Sequence, residues 1–147
     1  MEVIQFGFKT PGVEYTDRLG VYALILREDG RIGAVENASK SGKLQLPGGG
    51  IDLNESGEDA LKREVREEME REVERLSFVG KAKQYVDRTA KPSVNKICSY
   101  YLVELIPGND GHGDKITRWV TRQEFEEHGA PESHKWAVRT FLNSKLK

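Results

Sequence analysis

Nine carboxylates crowd the stretch from Glu55 to Arg75: Glu55, Glu58, Asp59, Glu64, Glu67, Glu68, Glu70, Glu72 and Glu74, against Lys62, Arg63, Arg66, Arg71 and Arg75. Glu64, Glu67 and Glu68 stand at i, i+3 and i+4, and at about 100° per residue on a helix they share roughly a third of its circumference. Carboxylates so placed repel one another by roughly a few tenths of a kcal/mol per pair. A bound hard cation turns that repulsion into affinity; magnesium suits such oxygen donors, and manganese can substitute for it. Just upstream, Gly48, Gly49 and Gly50 carry no side chains, so their backbone can come close to a metal or phosphate and adopt positive φ. A plainer reading makes Pro47 to Gly50 a turn and the acids a solvated helix face, laced by Glu58–Lys62, Asp59–Arg63 and Glu67–Arg71 pairs at i, i+4. Each feature alone favours the plainer reading, and together at this spacing they favour a site.

The elements that must hold these residues are legible around them. Leu61, Val65 and Met69 fall at i, i+4 and i+8, one apolar stripe, and Ser56 to Asp59 forms a capping signature that opens a helix. Val21 to Leu26 is apolar on both faces, as a central strand covered on both sides requires. It stops at Glu28-Asp29-Gly30, a hairpin signal, and returns over Arg31 to Val35. Ile4 to Lys9 and Val13 to Arg18 read as a pair of extended segments joined by the turn Thr10-Pro11-Gly12. Asn37 to Lys43 reads as a loop leading into Leu44 to Leu46. Downstream, Leu76 to Val86 has strand composition with Gly80 as a bulge, Asp87 to Asn95 is a polar connection, and Lys96 to Ile106 is a second strand. Pro107 to Asp114 is a glycine-rich loop before a short strand, Ile116 to Val120. Thr121 to Glu124 is a capping box for a helix ending near His128, and Trp136, Val138, Phe141, Leu142 and Leu146 line a last helix. This order gives an α/β or α+β layered domain.

At 147 residues the chain suits one domain, 1–147, with one hydrophobic core. A hydrophobic content of 37%, 32% charged residues and a net charge of -1 describe a soluble protein without the broad basic face that duplex nucleic acid demands. No apolar run approaches the roughly 20 residues of a membrane span, and Met1 to Gln5 does not resemble a signal peptide. Cys98 is the only cysteine, so neither an intrachain disulfide nor a cysteine zinc site can form. His112, His128 and His134 are too scattered for a metal motif. A reducing, cytoplasmic compartment is the expectation.

Gly49, five residues, Glu55, seven residues, then Arg63-Glu64-Val65-Arg66-Glu67-Glu68 resembles the box of the Nudix hydrolase family, MutT-like proteins in which a loop and helix bind divalent metal and diphosphate. The many fixed positions make this more specific than a short glycine motif. The resemblance implies an α/β/α sandwich with a mixed β-sheet between helices. It implies that Glu67 and Glu68 are metal ligands, that Glu64 is a further ligand or a base, and that Arg63 orients the glutamates. The Gly48 carbonyl would be a metal ligand, and Glu55 would support the site from the loop. Asp114, ahead of the Arg118-Trp119-Val120 strand, is the best placed extra ligand or base, with His112 and Asp110 behind it. Two or three metal ions would accompany the substrate, and a metal-activated water would attack the diphosphate. The chain departs from the family pattern where a glycine and an aliphatic residue are replaced by Glu70 and Arg71. Either Glu70 takes the left-handed conformation and the helix ends there, or the helix runs on through Val73; the first is expected, with a strand starting near Val73.

Other residues carry weaker signals. His134 beside Glu132 could be a base but more often is structural. Arg18, Lys43 and Lys96 could bind phosphate, and Tyr85, Tyr100 and Tyr101 could stack a base, although strand tyrosines more often pack. Trp119 and Trp136 read as packing. The expectation is therefore a Mg2+-dependent hydrolase of a small-molecule nucleoside diphosphate derivative, with a homodimer compatible with the sequence. The rival is a catalytically silent module of the same fold that senses a nucleotide or binds a protein.

Overall fold

In the computed structural model, which describes residues 3–36, 42–111 and 113–146, the doubly apolar run lies in the strand on which both layers pack. The strands are β1 (Ile4–Phe6), β2 (Tyr15–Leu24), β3 (Ile32–Glu36), β4 (Leu44–Gln45), β5 (Gly48–Gly50), β6 (Val73–Val86), β7 (Ser93–Leu105) and β8 (Ile116–Val120). The described helices are α1 (Gly57–Met69), α2 (Arg122–His128) and α3 (Glu132–Phe141). A five-stranded mixed sheet runs β1-β6-β7-β2-β5, and a three-stranded antiparallel sheet runs β4-β3-β8. No described helix is long and apolar enough to cross a membrane. Most of the loop from Asn37 to Lys43 lies outside the described residues, as does His112.

Alternation along β2 explains the layers. Val21, Ala23 and Ile25 bury against Leu61, Val65 and Met69 of α1, whereas Tyr22 and Leu24 face Ala137, Val138 and Leu142 at the α3 end. Side chains on a strand turn to opposite faces in succession, so one apolar run feeds two cores. The hairpin at Asp29-Gly30 forms, with Arg27 N–H donating to Arg31 O at 2.8 Å, and carries the chain from one sheet to the other. Gly80 marks a shift of register against β7 between Phe78 and Gly80, as a bulge does.

Two pairings differ from the sequence expectation. β1 does not fold back on the segment after its turn; it pairs in parallel with β6, Ile4 opposite Ala82. The three glycines are not a turn but the edge strand β5, antiparallel to β2 with Gly49 opposite Val21. In both cases the partner is distant in sequence, so local turn chemistry does not report it.

Helix ends follow local rules. Ser56 Oγ accepts from Asp59 N–H at 3.1 Å, and Thr121 with Glu124 completes a reciprocal capping box. Glu70 stands at φ 55°, ψ 40°, its N–H donating to Arg66 O at 3.0 Å, and β6 begins at Val73. A non-glycine residue in that conformation is strained by about 1 kcal/mol. Arg71 accounts for the second departure: its Nη1 donates to Asp110 at 2.8 Å and its Nη2 to Ile106 O at 3.2 Å, tying down the loop before β8. On the other face, His134 is buried with its ring 4.3 Å from that of Tyr22 and Nδ1 2.9 Å from the Tyr100 hydroxyl. Burial holds its imidazole well below the usual basicity, so it stays neutral in the fold.

Replacing Glu70 with glycine should raise the unfolding free energy by about 0.5–1 kcal/mol, read as a higher urea midpoint at unchanged slope. His134 should make stability pH-dependent. The unfolded imidazole takes up a proton below about pH 6.5 and the folded one does not, so its contribution is whole above that pH and lost as pH falls, by up to about 1.4 kcal/mol per unit. His134→Gln should flatten the fall in unfolding free energy between pH 6.5 and 5, and an unchanged slope would refute this origin.

Candidate active site

The site is built around a strand that has no side chains. A Cβ at Gly48 would stand 2.0 Å from Val21 O, and Gly48 holds φ 149°, so only glycine lets β5 lie this close to β2. In an antiparallel ladder alternate residues turn their backbone groups away from the neighbour. Here these are Gly48 and Gly50: Gly48 N–H donates to Glu68 Oε1 at 2.8 Å, and Gly50 O accepts from Arg63 Nη2 at 3.0 Å. Gly49 presents its bare Cα to Glu64, where a Cβ would meet Oε1 at 2.6 Å. The glycine strand and the acidic helix therefore meet by backbone-to-carboxylate contact, register fixed.

Arg63 organises the acids. Its Nε donates to Glu55 Oε2 at 2.7 Å, its Nη2 to Glu55 Oε1 at 2.9 Å, and its Nη1 to Glu64 Oε1 at 3.0 Å and Glu67 Oε2 at 3.2 Å. Of the surface pairs expected along the helix, Arg63 and Arg71 thus turn to other partners. The hydrogen bonds from Arg63, helped by the Asp52 N–H, hold the Glu55 carboxyl down at about 2. Burial acts oppositely on Glu64, raising it, and pushes Glu68, 3% exposed, up to about 6. Glu67 is the open member, 45% exposed.

The sequence did not single out Lys115, whose Nζ lies 2.8 Å from Glu68 Oε2 and 3.4 Å from Gln45 Oε1. The loop before it closes onto the end of α1: Gly111 N–H donates to Met69 O at 2.9 Å and Asp114 N–H to Glu67 O at 2.8 Å. Asp114 reaches the site by this backbone contact, and its side chain is exposed. Asp110 is committed elsewhere, to Arg71 and to Trp119 Nε1 at 2.7 Å.

Among the described residues no three Asp, Glu, His or Cys side chains converge on one point. Arg63 and Lys115 stand among the acids instead. The donor set still fits a divalent cation: Glu64, Glu67 and Glu68 are hard oxygen ligands on one helix face, and two are buried enough to need a counter-charge.

Across β5 from Glu64 is a hollow of about 140 Å³, lined by Arg18, Tyr22, Arg88, Lys96, Lys115 and His134. Arg18 lies over Gly50, where a Cβ would meet Nη2 at 2.6 Å. Of the sequence candidates for phosphate contact, Arg18 and Lys96 thus come together and Lys43 stays exposed outside. Tyr100 is core, Tyr101 packs on Phe78 and Tyr85 on Tyr15. A larger hollow, about 730 Å³ beside Trp119 and the end of α3, is lined by none of the box residues.

Comparison with known proteins decides the family. The family model described as NUDIX domain matches residues 16–141. The chain belongs to the Nudix family. It is thereby a hydrolase acting on acid anhydrides in phosphorus-containing compounds. Solved Nudix structures share the fold. The MutT NUDIX hydrolase from Burkholderia pseudomallei aligns with a TM-score of 0.66 at 22% identity, covering 86% of this chain and 98% of that one. The MutT protein from Methanosarcina mazei Go1 gives 0.67 at 21%, covering 91% and 100%, and the mutator MutT protein from Bacillus halodurans 0.71 at 18%, covering 88% and 84%. A search of curated proteins finds no match.

The two Nudix glycines should separate stability from function. Gly48→Ala, which drives a methyl into a backbone oxygen, should cost about 3 kcal/mol of stability. Gly49→Ala meets only the end of the Glu64 side chain, so the fold should survive while Glu64 is displaced. Equal stability losses in chemical denaturation would contradict this division.

Proposed function

We propose that the chain acts as one domain and as a Mg2+-dependent pyrophosphohydrolase, with Mn2+ as substitute, that cleaves the diphosphate linkage of a nucleoside diphosphate joined to another group. One observation carries the reading: a carboxylate helix and a cation-lined hollow lie on opposite sides of a strand with no side chains. A diphosphate laid over the edge of β5 would have metal-binding acids on one side and Arg18, Arg88 and Lys96 on the other.

The residues divide the work. Glu67 and Glu68, with the Gly48 carbonyl, would hold the cation, and Glu64 would serve as a further ligand or as the base. A divalent cation bound there supplies an activated water and neutralises charge on the bridging and leaving oxygens. Arg63, bonded to Glu55, Glu64, Glu67 and Gly50 O, holds the acids in register, and Glu55 keeps Arg63 turned inward. Arg18, Arg88 and Lys96 of the hollow would bind phosphate, Arg by its planar fork and Lys as a point charge. Asp114, the residue before Lys115, is proposed as an additional ligand from the loop.

A screen of diphosphate compounds with Mg2+ or Mn2+, reading inorganic phosphate after phosphatase coupling, should find a substrate. Glu67→Gln and Glu68→Gln should each lower kcat at least about 100-fold, the scale for losing one electrostatic stabiliser of a transition state. Mg2+ should also raise the melting temperature of the parent by mass action. Parental turnover in either variant would remove that residue from the site.

A further inference from the structure

Lys115 belongs to both halves of the site. Its ammonium is paired with Glu68 Oε2 at 2.8 Å, yet its side chain also lines the cationic hollow with Arg18, Arg88 and Lys96. Glu68 is almost fully enclosed and its other oxygen is already committed to Gly48 N–H at 2.8 Å. The oxygen facing Lys115 is therefore the one through which a cation would be met. A buried carboxylate needs a counter-charge, and a lysine and a metal ion of the same sign repel each other at one oxygen.

The backbone around Lys115 is held on both sides. Asp114 N–H donates to Glu67 O, Gly113 packs so tightly that a Cβ would lie 2.3 Å from Glu68 O, and β8 starts at Ile116. Any displacement of the ammonium therefore runs through its own flexible four-carbon stem. The direction open to it is the hollow, whose rim it already shares with Gln45.

We propose that Lys115 exchanges partners: it neutralises Glu68 until a divalent cation replaces it, and then turns to bind substrate phosphate. The inference rests on the metal-dependent reading above. It couples the two binding events through one side chain, because metal entry releases a positive charge next to the place where phosphate is received. Metal and phosphate then assist each other, as reciprocity between linked sites requires.

The test compares the parent with Lys115→Met and Lys115→Arg. Mn2+ binding without substrate, followed by the spin-resonance signal of free Mn2+, should be about tenfold tighter in Lys115→Met, within the usual range for coupled sites. Lys115→Arg, which keeps the charge, should bind Mn2+ as the parent does. Inorganic phosphate, titrated calorimetrically, should bind Lys115→Met more weakly than the parent with Mg2+ saturating, and equally without metal. Metal-free Lys115→Met should also melt below the parent, and Mg2+ should erase the gap.

Equal Mn2+ affinity in parent and Lys115→Met, with both folded by circular dichroism, would overturn the exchange while leaving the metal site intact. Absence of Mn2+ binding in the parent would overturn the metal reading itself, and the exchange with it. If Lys115→Met does not fold, Lys115→Gln is measured in its place against the same outcomes.

Discussion

At the centre of this molecule a backbone amide donates to an enclosed carboxylate, Gly48 N–H to Glu68 Oε1. The bond requires β5 to lie close to β2, and that closeness requires that Gly48 have no Cβ. It also requires the register of Gly48 opposite Tyr22, since a shift by one residue would turn the outward amide into the ladder and leave Glu68 without it. From this contact the rest follows: α1 is set against the strand edge, Gly50 O comes within reach of Arg63, and Glu64 lies against Gly49.

The electrostatics are held under tension. Burial disfavours the charged forms of Glu64 and Glu68, and Arg63 and Lys115 oppose it at short range. Perturbed acids of this kind gather where function demands them, because a fold selected for stability alone would fill such a position with a well-packed apolar residue. Glu55 stands in contrast: its carboxyl is depressed by Arg63 and its part is to hold the arginine.

What could be read from the sequence was what is decided locally. The Ser56 and Thr121 caps, the α1 stripe, the Gly80 bulge and the left-handed Glu70 each depend on residues within a turn or two, and each is present in the structure. The family box was legible for the same reason, being about twenty contiguous residues. β5 and β1 were not, since a glycine run looks like a turn until its distant partner is known, and a short strand does not announce whether its mate is near or far. Arg71 and Lys115 were missed because their meaning lies in partners far away in the chain, Asp110 and Glu68. A charged residue in a charge-rich chain gives no sign of which contacts are enclosed.

A strand made only of glycine has a consequence for how such a protein can diversify. β5 forms the boundary between the acids of α1 and the basic hollow, yet it offers no side chain to either. The residues of the hollow come from β2, β4, β7, α3 and the loops ahead of β7 and β8, and those of the acid face from α1 and the segment before it. Substitutions in the hollow therefore need not disturb the acid face. The partition itself has almost no freedom to vary, while the surfaces it separates can change independently, and Lys115 is the thread that still ties one to the other.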